Sequence, residues 1–302
     1  MKKSALSVFV LIIATLPFSG CTDRSSSTKQ SQSSNVTETD VINVWVGSRT
    51  EARRVHEREV LQAALEATRE EYGPWELDEH DEDYHGDRES RAFREYGHDL
   101  FVTTAGNRKL EDEEKIVIHE AIMDGILGFR VLIIRAEDQD KFARIETEEQ
   151  LKKLRVGVPE TWSDAEIFRH NGYNVIERGT YDDMFERLHG NQYDFTALGA
   201  NEVEGVFADR ADEVEGLMMV DDLLVYYPFP LLFYVNPDNP ELADRIRKGM
   251  SAIAEDGTLD HILRRHNAEL ISGLRLNERT VFRLESPMLP EEMAGYQSTL
   301  LQ

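Results

Sequence analysis

Leu151–Glu204 reads LKKLRVGVPETWSDAEIFRHNGYNVIERGTYDDMFERLHGNQYDFTALGANEVE. Leu154–Val158 is a short, Val-rich apolar run closed by Pro159. Ser163–His170 follows as a helix, with Thr161 or Ser163 as N-cap and Glu166, three residues after Ser163, as the capping-box partner. Asn171-Gly172 ends that helix, and Tyr173–Ile176 forms a second strand. Tyr181, Met184, Phe185 and Leu188 share one face of the next helix, Gly190 stops it, and Tyr193–Thr196 is a third strand. Alternation this dense implies an α/β protein with a parallel sheet built from right-handed crossovers. Ligands on such sheets sit beyond the carboxyl ends of the strands. Those ends are Pro159–Asp164 and Ala197–Glu202.

The flanking sequence repeats the pattern. Val41–Val46 is a strand, Gly47-Ser48-Arg49-Thr50 the loop after it, and Arg53–Tyr72 a helix stopped by Gly73-Pro74. Ser48 and Arg49 fall where they either touch a ligand or cap the following helix. Trp75–Leu77 begins the next strand. Glu76–Asp87 (ELDEHDEDYHGD) carries carboxylates with His80 and His85. It lacks the central Gly and terminal Glu of a calcium loop, so an acidic solvated loop without a metal is expected. Glu89–Tyr96 reads as a short helix, and His98–Val102 as a strand leading to Thr104 and Arg108. A guanidinium fork such as that of Arg108 pairs bidentately with a carboxylate. Further on, Leu217–Val220, Leu223–Tyr226 and Leu231–Val235 are strands interrupted by Pro228-Phe229-Pro230. Asn239–Glu255 and Thr258–His266 are amphipathic helices, and the tail from Glu285 is expected to be loosely held.

The order L-x-V-G-V strand, helix, strand, Y-D-x-M-F-x-x-L helix, Y-D and strand resembles the second lobe of a type II periplasmic binding protein. More narrowly it resembles the family-3 extracellular solute-binding proteins, known for capturing amino acids for ABC transporters. GILGFRVLII at Gly125–Ile134 and NPELADRIRKGM at Asn239–Met250 are similar to segments of the same proteins. The resemblance implies a two-lobed fold, each lobe a mixed or parallel sheet flanked by helices, joined by a two-segment hinge. Lobe one would comprise 41–135 plus 231–284, lobe two 142–227, and a C-terminal tail 285–302. The crossing segments would lie near Ala136–Thr147 and Tyr226–Val235. Thr104 and Arg108 match the family's T-x-x-x-R segment, whose Thr and Arg grip the ligand. The implied ligand residues are Ser48, Arg49, Thr104, Arg108, Arg130, Thr161, Trp162, Ser163, Asp164, Asn201 and Glu202. Capping of the helix alone is the other reading of Thr161–Asp164, and a packed hinge-side role that of Arg130. One departure stands out: Leu198 occupies the place of an Arg in the branch's R-G-x-N-E segment, while Gly199, Asn201 and Glu202 are kept. Leu198 supplies no charge, which argues against carrying over amino-acid specificity.

Met1-Lys2-Lys3 is basic, Ala5–Phe18 apolar, and Ser19-Gly20 leads into Cys21, the one cysteine of the chain. Residues 1–20 therefore read as a signal peptide. Phe18-Ser19-Gly20-Cys21 resembles a bacterial lipobox; a plain signal peptide cleaved nearby is the alternative. Lipid on Cys21 would hold the protein at a membrane, with the Ser-, Thr- and Gln-rich segment 21–40 as a flexible tether. The net charge of −24 and pI of about 4.8 argue against nucleic acid and anionic membrane surfaces as partners. There is no P-loop, GxGxxG after a strand, HExxH, GxSxG or CxxC. The expectation is an exported, periplasmic, lipid-anchored monomer that is no enzyme and has no cofactor. It captures a small polar solute, anionic or zwitterionic and amino-acid-like, for the permease of an ABC transporter. A sensory or scaffold lipoprotein and a low-activity enzyme on the same fold are the alternatives.

Overall fold

The computed structural model describes residues 39–47, 49–84, 86–211 and 214–302. The signal peptide, Cys21, nearly all of the expected tether, Ser48 and His85 lie outside the described residues. Two sheets organise the rest. The first has strand order β2-β1-β3-β10-β4, from β1 (Asp40–Trp45), β2 (Trp75–His80), β3 (Leu100–Thr104), β4 (Ile116–Ile118) and β10 (Leu231–Val235). The second runs β11-β9-β5-β8-β6-β7, from β5 (Phe129–Arg135), β6 (Arg155–Val158), β7 (Asn174–Glu177), β8 (Phe195–Gly199), β9 (Leu217–Tyr226) and β11 (Thr280–Arg283). In the first sheet β1 is parallel to β2 and β3, while β10 is antiparallel to β3 and β4. In the second, β6 is parallel to β7 and β8, as the alternation predicts, and β5 is antiparallel to β8 and β9.

Helices cover both sheets. Against the first lie α1 (Glu51–Ala67), its short extension α2 (Arg69–Tyr72) and α8 (Pro240–Glu255). The long helix expected over Arg53–Tyr72 breaks at Thr68, whose φ of −108° and ψ of 7° leave the helical region and whose hydroxyl donates back to the carbonyls of Ala64 and Leu65. Leu242, Ala243, Ile246, Met250 and Ile253 bury one face of α8; each large aliphatic side chain so removed from water contributes about 1.5–3 kcal/mol. Around the second sheet lie α3 (Gln139–Phe142), α4 (Glu148–Leu151), α5 (Asp164–His170), α6 (Met184–His189) and α7 (Ala200–Ala211). The last helix, α9 (Thr258–Leu274), runs longer than expected, is kinked at Asn267, and contacts α1, α7 and α8.

The lobe boundaries differ from the expected ones. β5 and β11, placed by sequence in lobe one, pair in the second sheet. All seven residues of β5 are buried because it lies inside that sheet, flanked by β8 and β9. A continuous apolar run announces a buried strand without naming its sheet. The first crossing therefore spans 119–128 rather than Ala136–Thr147, and the second is 227–230. The two pass side by side: Tyr227 N–H donates to Gly128 O at 3.2 Å, and a Cβ on Gly128 would stand 2.1 Å from Tyr227 O. A third crossing, 275–279, carries the chain from α9 into β11.

Four further expectations change. Glu76–His80 pairs with β1 as an edge strand instead of looping, its exposed carboxylates alternating outward. Glu89–Tyr96 begins as a 3-10 turn over Gly86–Arg91. Leu217–Tyr226 is one strand whose register slips opposite Val131–Ile133. The tail is seated, not loose. Asn171 exchanges two hydrogen bonds with the Glu285 backbone, at 2.8 and 3.0 Å. Met288 and Met293 are buried, and Ser298 and Thr299 donate to Asp124 in the first crossing.

Candidate functional site

The carboxyl ends of β1 and β3 face those of β6 and β8 across the gap between the sheets. From lobe one, the turn after β3 presents Asn107 and Arg108. From lobe two, the turn after β6 presents Thr161, Trp162 and Ser163. These five residues line a cavity of about 350 Å³ together with Glu166 of α5. Thr161 is held at φ +71°, left-handed for a β-branched residue, while Thr161 N–H donates to Glu177 Oε1 at 3.3 Å. Trp162 stacks on Tyr181, with centroids 6.1 Å apart. Arg108 is 63 % exposed and forms a charge-assisted hydrogen bond across the gap with Glu166. So exposed a pair is worth only about 0.2–1 kcal/mol. Glu166 thus does not complete a capping box, and Ser163 makes no side-chain cap hydrogen bond.

The other expected site residues are placed elsewhere. Arg49 turns inward, donating to Trp45 O at 3.2 Å, Gly47 O at 2.7 Å and Val102 O. Burial drags its guanidinium down to about 10, against the pull of Glu57 at 3.2 Å. Arg49 therefore braces the ends of β1 and β3. Thr104 is half-buried, and its carbonyl accepts from Tyr234 Oη at 3.1 Å. Glu202 meets Arg53 across the gap at 3.4 Å, and Arg53 also donates to Glu57 at 2.6 Å. Burial would lower Arg53, and Glu57 and Glu202 more than offset it.

Arg130 and Asp164 belong to each other. Arg130 is 3 % exposed, lies 5.0 Å from the rings of both Tyr227 and Phe229, and pairs with Asp164 at 3.0 Å. Tyr227 Oη donates to the same carboxylate at 2.5 Å, and burial pushes its hydroxyl well above the ordinary value. This cluster packs the second crossing onto lobe two. Asn201 sits beside Gly199 and Leu127, its buried amide oxygen and nitrogen without a partner among the described residues.

Sequence reasoning missed Glu166, Arg53, Glu57 and the tail. Arg49, Arg53 and Glu57 recur at helical spacing, a signal for an ion-pair row. Nothing local marks Glu166 as a partner of Arg108. A larger cavity, about 610 Å³, opens at the amino end of β1 beside Asp40, Asp99, Asp238, Glu241 and Arg245. It lies on the side opposite the strand ends where α/β sheets bind ligands.

Two mixed sheets, each wrapped by helices, joined by crossing segments and facing one another across a cleft, define the two-lobed fold of periplasmic binding proteins. Among solved structures of that fold, the chain is similar to an arginine third transport system periplasmic binding protein from Legionella pneumophila. The identity is 15 %, covering 76 % of this chain and 100 % of that one, at a TM-score of 0.52. It is also similar to a periplasmic His/Glu/Gln/Arg/opine family-binding protein from Silicibacter pomeroyi in complex with lysine (12 %, 75 % and 96 %, 0.50). A histidine kinase sensor domain with similarity to periplasmic binding proteins matches equally well (13 %, 75 % and 96 %, 0.50). No family model and no curated protein matches the chain.

Proposed function

We propose that this protein is an exported solute receptor that closes its two lobes on a small polar solute, anionic or zwitterionic and amino-acid-like. In this reading lipid on Cys21 anchors it, and the permease of an ABC transporter receives its cargo. The observation that carries the reading is the cavity at Arg108. An exposed guanidinium from lobe one faces Thr161, Trp162 and Ser163 from lobe two across a space of about 350 Å³. That is within the size range of small-molecule sites. A carboxylate would meet the fork of Arg108 bidentately, and Trp162 offers a flat wall.

Thermal-shift screening of amino acids, small organic acids and short peptides tests the proposal, because a ligand bound only by the folded state raises the melting midpoint. Arg108→Ala should abolish the shift and leave the unliganded midpoint within about 1 kcal/mol of stability, since an exposed pair contributes little. A broad panel without a single shift overturns the reading. Mass spectrometry of the membrane fraction tests the anchor: an unmodified Cys21 in a soluble mature protein removes it.

A second reading, a sensor rather than a carrier, is favoured by one feature. The cleft is bridged by the chain's own charges, Arg108 to Glu166 and Arg53 to Glu202. A receptor whose transporter genes can be deleted without loss of uptake would fit it.

A further inference from the structure

The C-terminal segment leaves lobe two, crosses lobe one and returns. Leu284, the first residue after β11, donates to Tyr226 O at 2.7 Å, and Asn171 holds the Glu285 backbone, both within lobe two. The chain then lies against lobe one. Gly106, in the turn that carries Arg108, adopts φ +68°, and a Cβ there would stand 1.7 Å from Met288 O. Met293 is 6 % exposed and belongs to the apolar cluster of Trp45, Phe93 and Phe101. At the first crossing, a Cβ on Gly125 would stand 3.1 Å from the Tyr296 hydroxyl. Buried Ser298 donates its N–H to Tyr226 Oη at 2.9 Å, back in lobe two. Leu301 packs on the lobe-two core, and its carbonyl accepts from Arg283 at 3.4 Å.

The point of return is a joint between the lobes. Asp124 and Gly125 of the first crossing are both left-handed, at φ +47° and +67°. An L residue such as Asp124 is strained there and persists only where its surroundings hold it. The tail supplies that hold. Thr299 N–H and Oγ1 donate to the Asp124 carboxylate at 3.0 and 2.7 Å, and Ser298 Oγ donates at 3.2 Å. The two ion pairs across the cleft, Arg108–Glu166 and Arg53–Glu202, are partly exposed and contribute little by comparison. Met288 and Met293, by contrast, are removed from water.

We propose that residues 285–302 form a clasp that fixes the angle between the lobes. Both ends of the clasp are on lobe two and its middle is on lobe one. The lobes therefore swing apart only when Met288 and Met293 come off lobe one and Asp124 is released. Such a clasp acts on the joint rather than on the solute, and it holds whether or not the cleft takes one.

Spin labels at two exposed positions, Asp112→Cys of lobe one and Arg178→Cys of lobe two, in a Cys21→Ser background, test it on the full chain. Pulsed electron paramagnetic resonance then reads the distance between lobes with no ligand added. The parent should give one distance, with any longer one held by fewer than about 10 % of molecules, the level of a minor conformer. Deleting 286–302 should make the longer distance the majority. That deletion bares apolar surface and can stop folding, so Asp124→Gly with Met293→Ala is the second variant. Glycine keeps the left-handed backbone without the carboxylate that the tail grips, and alanine weakens the anchor on lobe one. This variant should still melt cooperatively and should populate the longer distance above about 10 %. Glu166→Gln with Glu202→Gln, which removes both ion pairs across the cleft and leaves the clasp, should keep the parent's single distance. A parent that already populates two distances overturns the clasp, and so does an Asp124→Gly, Met293→Ala variant that keeps one. Opening of the double glutamine variant assigns the closure to the ion pairs and overturns it as well.

Discussion

Arg130 lies between the rings of Tyr227 and Phe229 with its charge turned to Asp164. Such a buried pair costs desolvation on both sides, so its members matter most when one is removed. Arg130→Met should destabilise the protein by about 3–5 kcal/mol, because Asp164 is left as a buried anion with only the Tyr227 hydroxyl. The double change Arg130→Met with Asp164→Leu should recover much of that loss. Denaturant midpoints of the two variants separate this from a simple loss of packing. His56 gives a second residue-scale test. It is buried and neutral, with Nε2–H donating to Ile122 O at 3.1 Å and Nδ1 accepting from Asn267 Nδ2 at 3.4 Å. Burial lowers its pKa, with His266 adding to the effect and Glu57 opposing it. The unfolded chain therefore takes up the proton first as pH falls below about 6.5. The stability contributed by neutral His56 is present above that pH and lost as pH falls toward the folded-state value. His56→Gln, which can still donate to Ile122 O, should show a shallower fall of melting temperature between about pH 7 and pH 5.

At the scale of elements, the segment after Leu284 is bound to lobe two through Asn171, to lobe one through Met288 and Met293, and to the first crossing through Asp124. Gly106→Ala should displace it, since both the left-handed φ and the 1.7 Å approach to Met288 O forbid a side chain. Limited proteolysis should then cut after Glu285 faster than in the parent protein, and unchanged cleavage would show that the turn yields instead. The sequence made β6, α5, β7, α6 and β8 legible because each is signalled within its own few residues: Val156 and Val158 in a strand, Gly172 and Gly190 as stops, Met184 and Leu188 on one helical face. It left β5, β11 and the tail misplaced because their partners are remote. The run Phe129–Arg135 looks the same whether it joins Ile118 or Leu198. The site was legible in part for the same reason. Arg108 and Trp162 stand at strand ends, which periodicity locates, whereas Glu166 was indistinguishable from a cap until the other lobe was placed opposite it.

Across the whole molecule, neither sheet is made from a continuous stretch of chain. The first needs β10, and the second needs β11. A fragment ending at Pro230 would lack the strand that joins β3 to β4. It should fail to unfold cooperatively, and amides of Leu100–Thr104 should exchange at least about a hundredfold faster than in the full chain. A cooperative transition in that fragment would mean that lobe one does not depend on its returning strand.

The position of β10 also constrains how the protein comes into being. As the polypeptide is synthesised, LFVTT at β3 and IVI at β4 appear early, yet the strand that fits between them is not made until residue 231. At translation rates of about 5–20 residues per second, that interval is on the order of ten seconds. Hairpins form in microseconds, so both apolar edges stay open for a long time to any other strand, including one from a second nascent chain. Overproduction should therefore drive the protein into inclusion bodies unless a holdase covers those edges until the later strand arrives.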